Sequence, residues 1–228
     1  MDNLVMTLET QRDGLLAAYA TTGNREIAQK TILKLKSVFE ELELVIAAST
    51  TSPRPAALTP GLYATYLLVV LLSKNLNDAR FLWKRIPNEI KQASEELRNI
   101  WEVGKALWER NLAQAYAAMD YDWSLTLDGL VKALKTSTRE DATELLSRAY
   151  TTIAISDASI ALGFARHEDA AHYCSSLGWD VSATNQMISP KPIHSVCRTS
   201  SRILDLDRLN TLSKAVLHLE QNTLLKLP

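Results

Sequence analysis

The side chains best suited to chemistry in this 228-residue chain are four histidines and two cysteines, and their spacing argues against each use. His167-Glu168 precedes His172 by five residues, which sets the two imidazoles about 140° apart around a helix. They cannot grip one zinc as the His-Glu-x-x-His metalloproteases do. His194-Ser195-Val196 begins like a His-x-His ligand pair but carries valine where the second ligand belongs. His172 and Cys174 diverge by about 200° on a helix, so no thiolate–imidazole dyad forms. Neither a Gly-x-Ser-x-Gly elbow nor a phosphate-cradling glycine loop is present. The expectation is a chain that is not an enzyme, with no catalytic residues, no metal and no cofactor. Cys174 and Cys197 have neither zinc spacing nor a secretory context and read as reduced thiols.

Charge points the same way. Twenty-five basic and 26 acidic side chains are interspersed, giving a net charge of −1. Phosphate backbones are bound through clustered Lys and Arg, so nothing here announces a nucleic-acid partner. The start Met-Asp-Asn-Leu-Val-Met lacks the basic and apolar regions of a signal peptide. The most apolar run, Leu62 to Leu72, is half of the about twenty residues that a bilayer requires, and it reads as a buried helix rather than a membrane span.

The elements behind these residues are almost all helical. Seven glycines, seven prolines and few alternating β-branched runs predict helices over 2–20 and 24–48 around Thr21-Thr22-Gly23-Asn24. Gly23 suits a left-handed cap and Asn24 a helix start. Residues 49–60, with three prolines and five Ser or Thr, form a linker. Short antiparallel helices follow at 61–73, 76–86, 88–110, 112–118 and 122–135. The hairpin from Asn75 to Trp108 is the most distinctive: Ala79, Leu82, Trp83 and Ile86 recur at helical steps, and Pro87 stops the run. Trp83, Trp101, Trp108, Trp123 and Trp179 read as packing residues rather than a ligand box.

From 138 the pattern changes to helices over 138–153, 156–162 and 167–177, with Ser156-Asp157 capping the second and Gly163 in the turn between the last two. Trp179–Val181 and Gln186–Ile188 pair as short wing strands. Three helices and a hairpin make a winged helix. The predicted third helix, His167 to Tyr173, holds Glu168 and Asp169 and no Lys or Arg, so its carboxylates would repel phosphates. A winged-helix nucleic-acid module is the outside alternative. After a linker at 191–201, a helix over 202–225 carries one stripe of Leu209, Leu212, Val216 and Leu219 and a second of Leu206, Leu217 and Leu224. Two apolar faces at the end of a chain predict a helix completed in a bundle with other polypeptides.

The fold class expected is thus mainly α, a helical-repeat bundle followed by a winged-helix subdomain and a C-terminal helix. Its segments are 1–60 as N-terminal hairpin and linker, 61–137 as repeats, 138–192 as winged helix and 193–228 as linker and bundle helix.

Asn77-Asp78-Ala79-Arg80-Phe81-Leu82-Trp83-Lys84-Arg85-Ile86-Pro87, the pairs Ile100-Trp101 and Leu107-Trp108, and Ser147-Arg148-Ala149-Tyr150-Thr151-Thr152-Ile153 together resemble the subunit 8 family of the COP9 signalosome. Gly178-Trp179-Asp180 and Pro190-Lys191-Pro192 agree with it, and the resemblance spans about Leu62 to Pro192. It implies a PCI domain and a non-catalytic scaffold in the complex that deneddylates cullin-RING ubiquitin ligases. It further implies pairing of the wing edge, Val181, Gln186, Met187 and Ile188, with another PCI subunit, subunit 3. The last helix would join a central bundle, and the setting would be cytoplasm and nucleus. Small PCI subunits of the proteasome lid and of translation initiation factor 3 are the alternative within the same class.

Overall fold

The computed structural model describes residues 2–48, 59–182 and 185–192, together with positions 209, 213 and 214. Residues Met1–Lys191 form one compact unit and Pro192–Pro228 a second. Mainly helical structure with a small sheet is what the sequence predicts.

The first unit opens with a hairpin of α1 (Asp2–Thr21) and α2 (Arg25–Ala48). Asn24 accepts a hydrogen bond from the Glu26 amide at 2.9 Å, capping α2 as expected. Gly23 does not take the left-handed conformation that was expected of it. Leu35, Phe39 and Leu42 of α2 are fully buried in the same core as the helices that follow.

That core is organised around α3 (Pro60–Leu72). Thr59 accepts from the Leu62 amide and Pro60 occupies the first helical position, where its missing N–H costs nothing. Leu62 through Leu72 is buried except for Thr65, because neighbouring helices cover α3 on every side. Around it pack α2, α4 (Leu76–Arg85), α5 (Asn88–Ala93), α6 (Glu95–Trp108) and α8 (Leu125–Ala149), with α7 (Leu112–Met119) set against α6.

Two boundaries differ from the sequence reading. The single helix expected over 88–110 is broken at Ser94, whose backbone is extended and whose hydroxyl accepts from the Leu97 amide at 3.2 Å. The break expected near 136–137 is absent, and α8 runs through it. The hydroxyls of Thr136, Thr138 and Thr143 each donate to the carbonyl four residues earlier, so these poor helix formers are satisfied inside a helix. The apolar core nevertheless divides along α8: Leu134 belongs to the repeat core, and Ala142 and Leu146 to a second, smaller one.

The second core belongs to β1 (Ile153–Ala154), α9 (Ile155–Leu162), α10 (His167–Ser176), β2 (Asp180–Ser182) and β3 (Met187–Ser189). Helix α9 begins at Ile155 without a side-chain cap, so Ser156 and Asp157 lie in its first turn rather than capping it. Gly163 and Gly178 end α9 and α10 in the left-handed region. Among the described residues no helix is long and apolar enough to cross a membrane.

Candidate interaction surfaces

The wing is a three-stranded antiparallel sheet in the order β1-β3-β2. Ile188 pairs with Ile153 on one side and Val181 on the other, and Met187 with Ala154 and Ser182. Side chains alternate across a strand, so Ile153, Val181 and Ile188 turn inward while Met187 turns out and is 39% exposed. This corrects the assignment of the wing edge. Met187 and Ile188 lie on the central strand with both neighbours paired, and Ile188 is completely buried. Gln186, in the turn before it at φ 50°, already accepts from the Ile155 amide at 2.9 Å. Of the four residues, Val181 alone sits on an edge strand, β2. The expectation failed because β1 is two residues long, too short to show alternation, and its Ile153 looked like the end of a helix.

Three contacts seat the sheet and its helices. Arg139 on α8 donates from Nε to the Leu162 carbonyl at 2.9 Å, closing the end of α9, and lays its guanidinium over Phe164 at 4.3 Å. Gly163, at φ 68°, lies against the Tyr116 ring of α7, where a Cβ would fall well inside van der Waals contact. Ser159 shares a 3.0 Å hydrogen bond with His167 Nδ1, fixing α9 to the start of α10.

Cys174 is fully buried and His172 exposed, so the two do not meet. Burial pushes the Cys174 thiol up to about 11. Among the described residues there is no cluster of three or more His, Cys, Asp or Glu able to hold a metal. His194 and Cys197 lie outside the described residues, as do Leu206, Leu212, Val216, Leu217, Leu219 and Leu224. Leu209 is helical and 61% exposed.

One feature of the repeats escaped the sequence reading. Lys74-Asn75-Leu76-x-x-Ala79 recurs 36 residues later as Arg110-Asn111-Leu112-x-x-Ala115. Structure makes the recurrence physical. Lys74 and Arg110 both turn left-handed, at φ 62° and 57°, after α3 and α6. Asn75 and Asn111 then cap α4 and α7 by accepting from the amide three residues on. Leu71, Lys74 and Leu76 therefore face Leu107, Arg110 and Leu112 across an open groove of about 420 Å³, floored by α8 residues including Leu134, Thr138 and Leu145. Lys74 is paired with Asp141 across it.

Helical repeats that end in a winged helix sharing one long helix define a PCI-type fold. Residues 57–197 match the CSN8/PSMD8/EIF3K family, and the chain belongs to it. Relatives named COP9 signalosome complex subunit 8 agree. That of Danio rerio is 38% identical over 58% of this chain and 70% of its own length. Those of Arabidopsis thaliana and Xenopus laevis are 37% and 35% identical over 69% of this chain and 79% and 77% of theirs.

Proposed function

We propose that this chain is a non-catalytic scaffold subunit of a COP9 signalosome, supporting assembly of the complex that deneddylates cullin-RING ligases in cytoplasm and nucleus. The family spans three kinds of small PCI subunit, and the relatives named above, all signalosome subunits, favour that one over the proteasome lid and translation initiation factor 3. The observation that carries an assembly role is the wing: among the described residues β2 is hydrogen-bonded along one side only, and its other side would present backbone groups to a strand from another PCI subunit, which we assign to subunit 3. The leucine stripes of 202–225 would enter a bundle formed with several subunits.

The test is affinity purification of the tagged chain from its source cell, read by mass spectrometry. Deleting 202–228 should remove most signalosome partners. Val181→Pro, which takes an N–H from β2 and blocks strand addition, should selectively weaken subunit 3. Recovery of lid or initiation-factor subunits would replace the signalosome reading, and unchanged partner lists for both variants would end it.

A further inference from the structure

The tryptophan hairpin lies outside the wing in sequence, and its exposed face gathers cations around aromatic rings. Trp83 of α4 and Trp101 of α6 stack at 5.0 Å with an interplanar angle of 3°. The Lys91 ammonium sits over Trp83 at 5.0 Å, and the Arg80 guanidinium over Trp108 at 5.7 Å. Trp108 is 48% exposed. A pocket of about 120 Å³ opens between Leu76, Ala79, Trp101 and Gly104, with Arg80 and Lys105 at its rim.

Several cations elsewhere in the fold are paired: Lys36 with Asp78, Arg25 with Glu140 and Arg85 with Glu43. Among the described residues Arg80, Lys84 and Lys91 have no carboxylate at ion-pair distance, and Lys105 has only Glu102, at 4.0 Å. Arg80 and Lys84 are one helical turn apart and flank Trp83. Two of these charges are already held on aromatic rings, so an anion would meet preorganised donors rather than freely moving side chains.

We propose that this face of α4 and α6 docks an acidic segment of a partner protein. Its carboxylates would meet Arg80, Lys84 and Lys91 while one aliphatic side chain enters the pocket beside Gly104. Nucleic acid fits less well. Trp83 and Trp101 spend one face on each other, and cations cover a face of Trp83 and of Trp108, so little ring surface is left for base stacking. The inference is independent of the signalosome assignment, because it concerns a surface remote in sequence from wing and tail.

The experiment is fluorescence anisotropy with the full chain and a labelled peptide repeating Glu-Glu-Leu-Glu. Comparison probes carry Gln for Glu or Ser for Leu, with an oligothymidylate as competitor. The peptide should bind at low salt, and both substituted peptides should bind more weakly. Arg80→Gln with Lys91→Gln should weaken binding by about tenfold or more. Lys30→Gln with Lys34→Gln, which removes the same charge from α2, should leave it unchanged. Should the first double variant unfold, the exposed Lys84→Glu tests the same face. Absence of binding, equal weakening by both double variants, indifference to the Gln probe, or displacement by oligothymidylate would each overturn the proposal.

Discussion

The repeat body and the winged helix share α8, yet they are held together by different means. The body wraps five helices around α3, and no single contact carries it: eleven consecutive positions from Leu62 are apolar or small, and all but Thr65 are buried. The winged helix has a small core, Ala158, Leu162, Cys174 and Ile188 being its most enclosed members, and depends on individual contacts made across its seam with α7 and α8. Large cores average over their contacts and small ones cannot.

The strongest challenge to that contrast is Gly163→Ala. The new Cβ would sit at positive φ and strike the Tyr116 ring, costing about 2–5 kcal/mol from strain and overpacking together. Hydrogen exchange should show α9 and α10 opening while α3 stays protected. The counterpart in the body, Gly104→Ala, would place a Cβ 3.4 Å from a Leu71 methyl, a contact that a flexible side chain can relieve. A loss for Gly104→Ala equal to that for Gly163→Ala would erase the distinction.

Next in size is Arg139→Met. It keeps the aliphatic stem but loses the bond to the Leu162 carbonyl and the cation over Phe164, about 1–3 kcal/mol in all. Denaturant unfolding should show the loss, with faster exchange confined to α9 and α10. Uniformly faster exchange would mean that the two halves unfold as one.

The same contrast explains what the sequence revealed. Long apolar periodicities mark surfaces buried by many neighbours, so α2, α3, α4 and α7 were legible to within a residue or two. The seam was not. Arg139 reads as an ordinary helix-surface arginine, and nothing in Ile153-Ala154 announces a strand that makes β3 central and moves the free edge to β2. Gly163 was legible as a turn glycine, but its contact with Tyr116 lies 47 positions away in the chain and no local pattern encodes it. The groove could have been found: the Asn-Leu-x-x-Ala recurrence was present, hidden because only the corners of the two hairpins repeat while their helices differ.

Alkaline pH probes both halves at once. Burial raises Tyr116 to about 12 and Cys174 to about 11, from ordinary values of 10.0 and 9.0, and also raises Tyr66 in the body. The folded state therefore holds protons that the unfolded chain releases, and stability falls as pH rises. The contribution is intact below about pH 9 and is lost progressively toward pH 12. Denaturant midpoints across that range should decline. The Tyr116 hydroxyl is buried without a hydrogen-bond partner among the described residues, so Tyr116→Phe should be neutral or slightly stabilising at pH 7 and should flatten part of the decline. A midpoint independent of pH would contradict this assignment.

The smallest expected effect tests the redundancy claimed for the body. Ser94 stands where apolar spacing predicts an unbroken helix, and only its cap and the following Glu95-Glu96 mark the restart. Ser94→Ala removes one hydrogen bond to the Leu97 amide, a cost of about 1 kcal/mol. Pro87 sets where α5 can begin, and Leu97, Ile100 and Val103 are buried together against the core, so the break should persist without its cap. Helix content by circular dichroism should stay constant while the denaturant midpoint drops slightly. A gain in helix content would mean that α5 and α6 had fused, and that one hydroxyl rather than the surrounding body sets the corner.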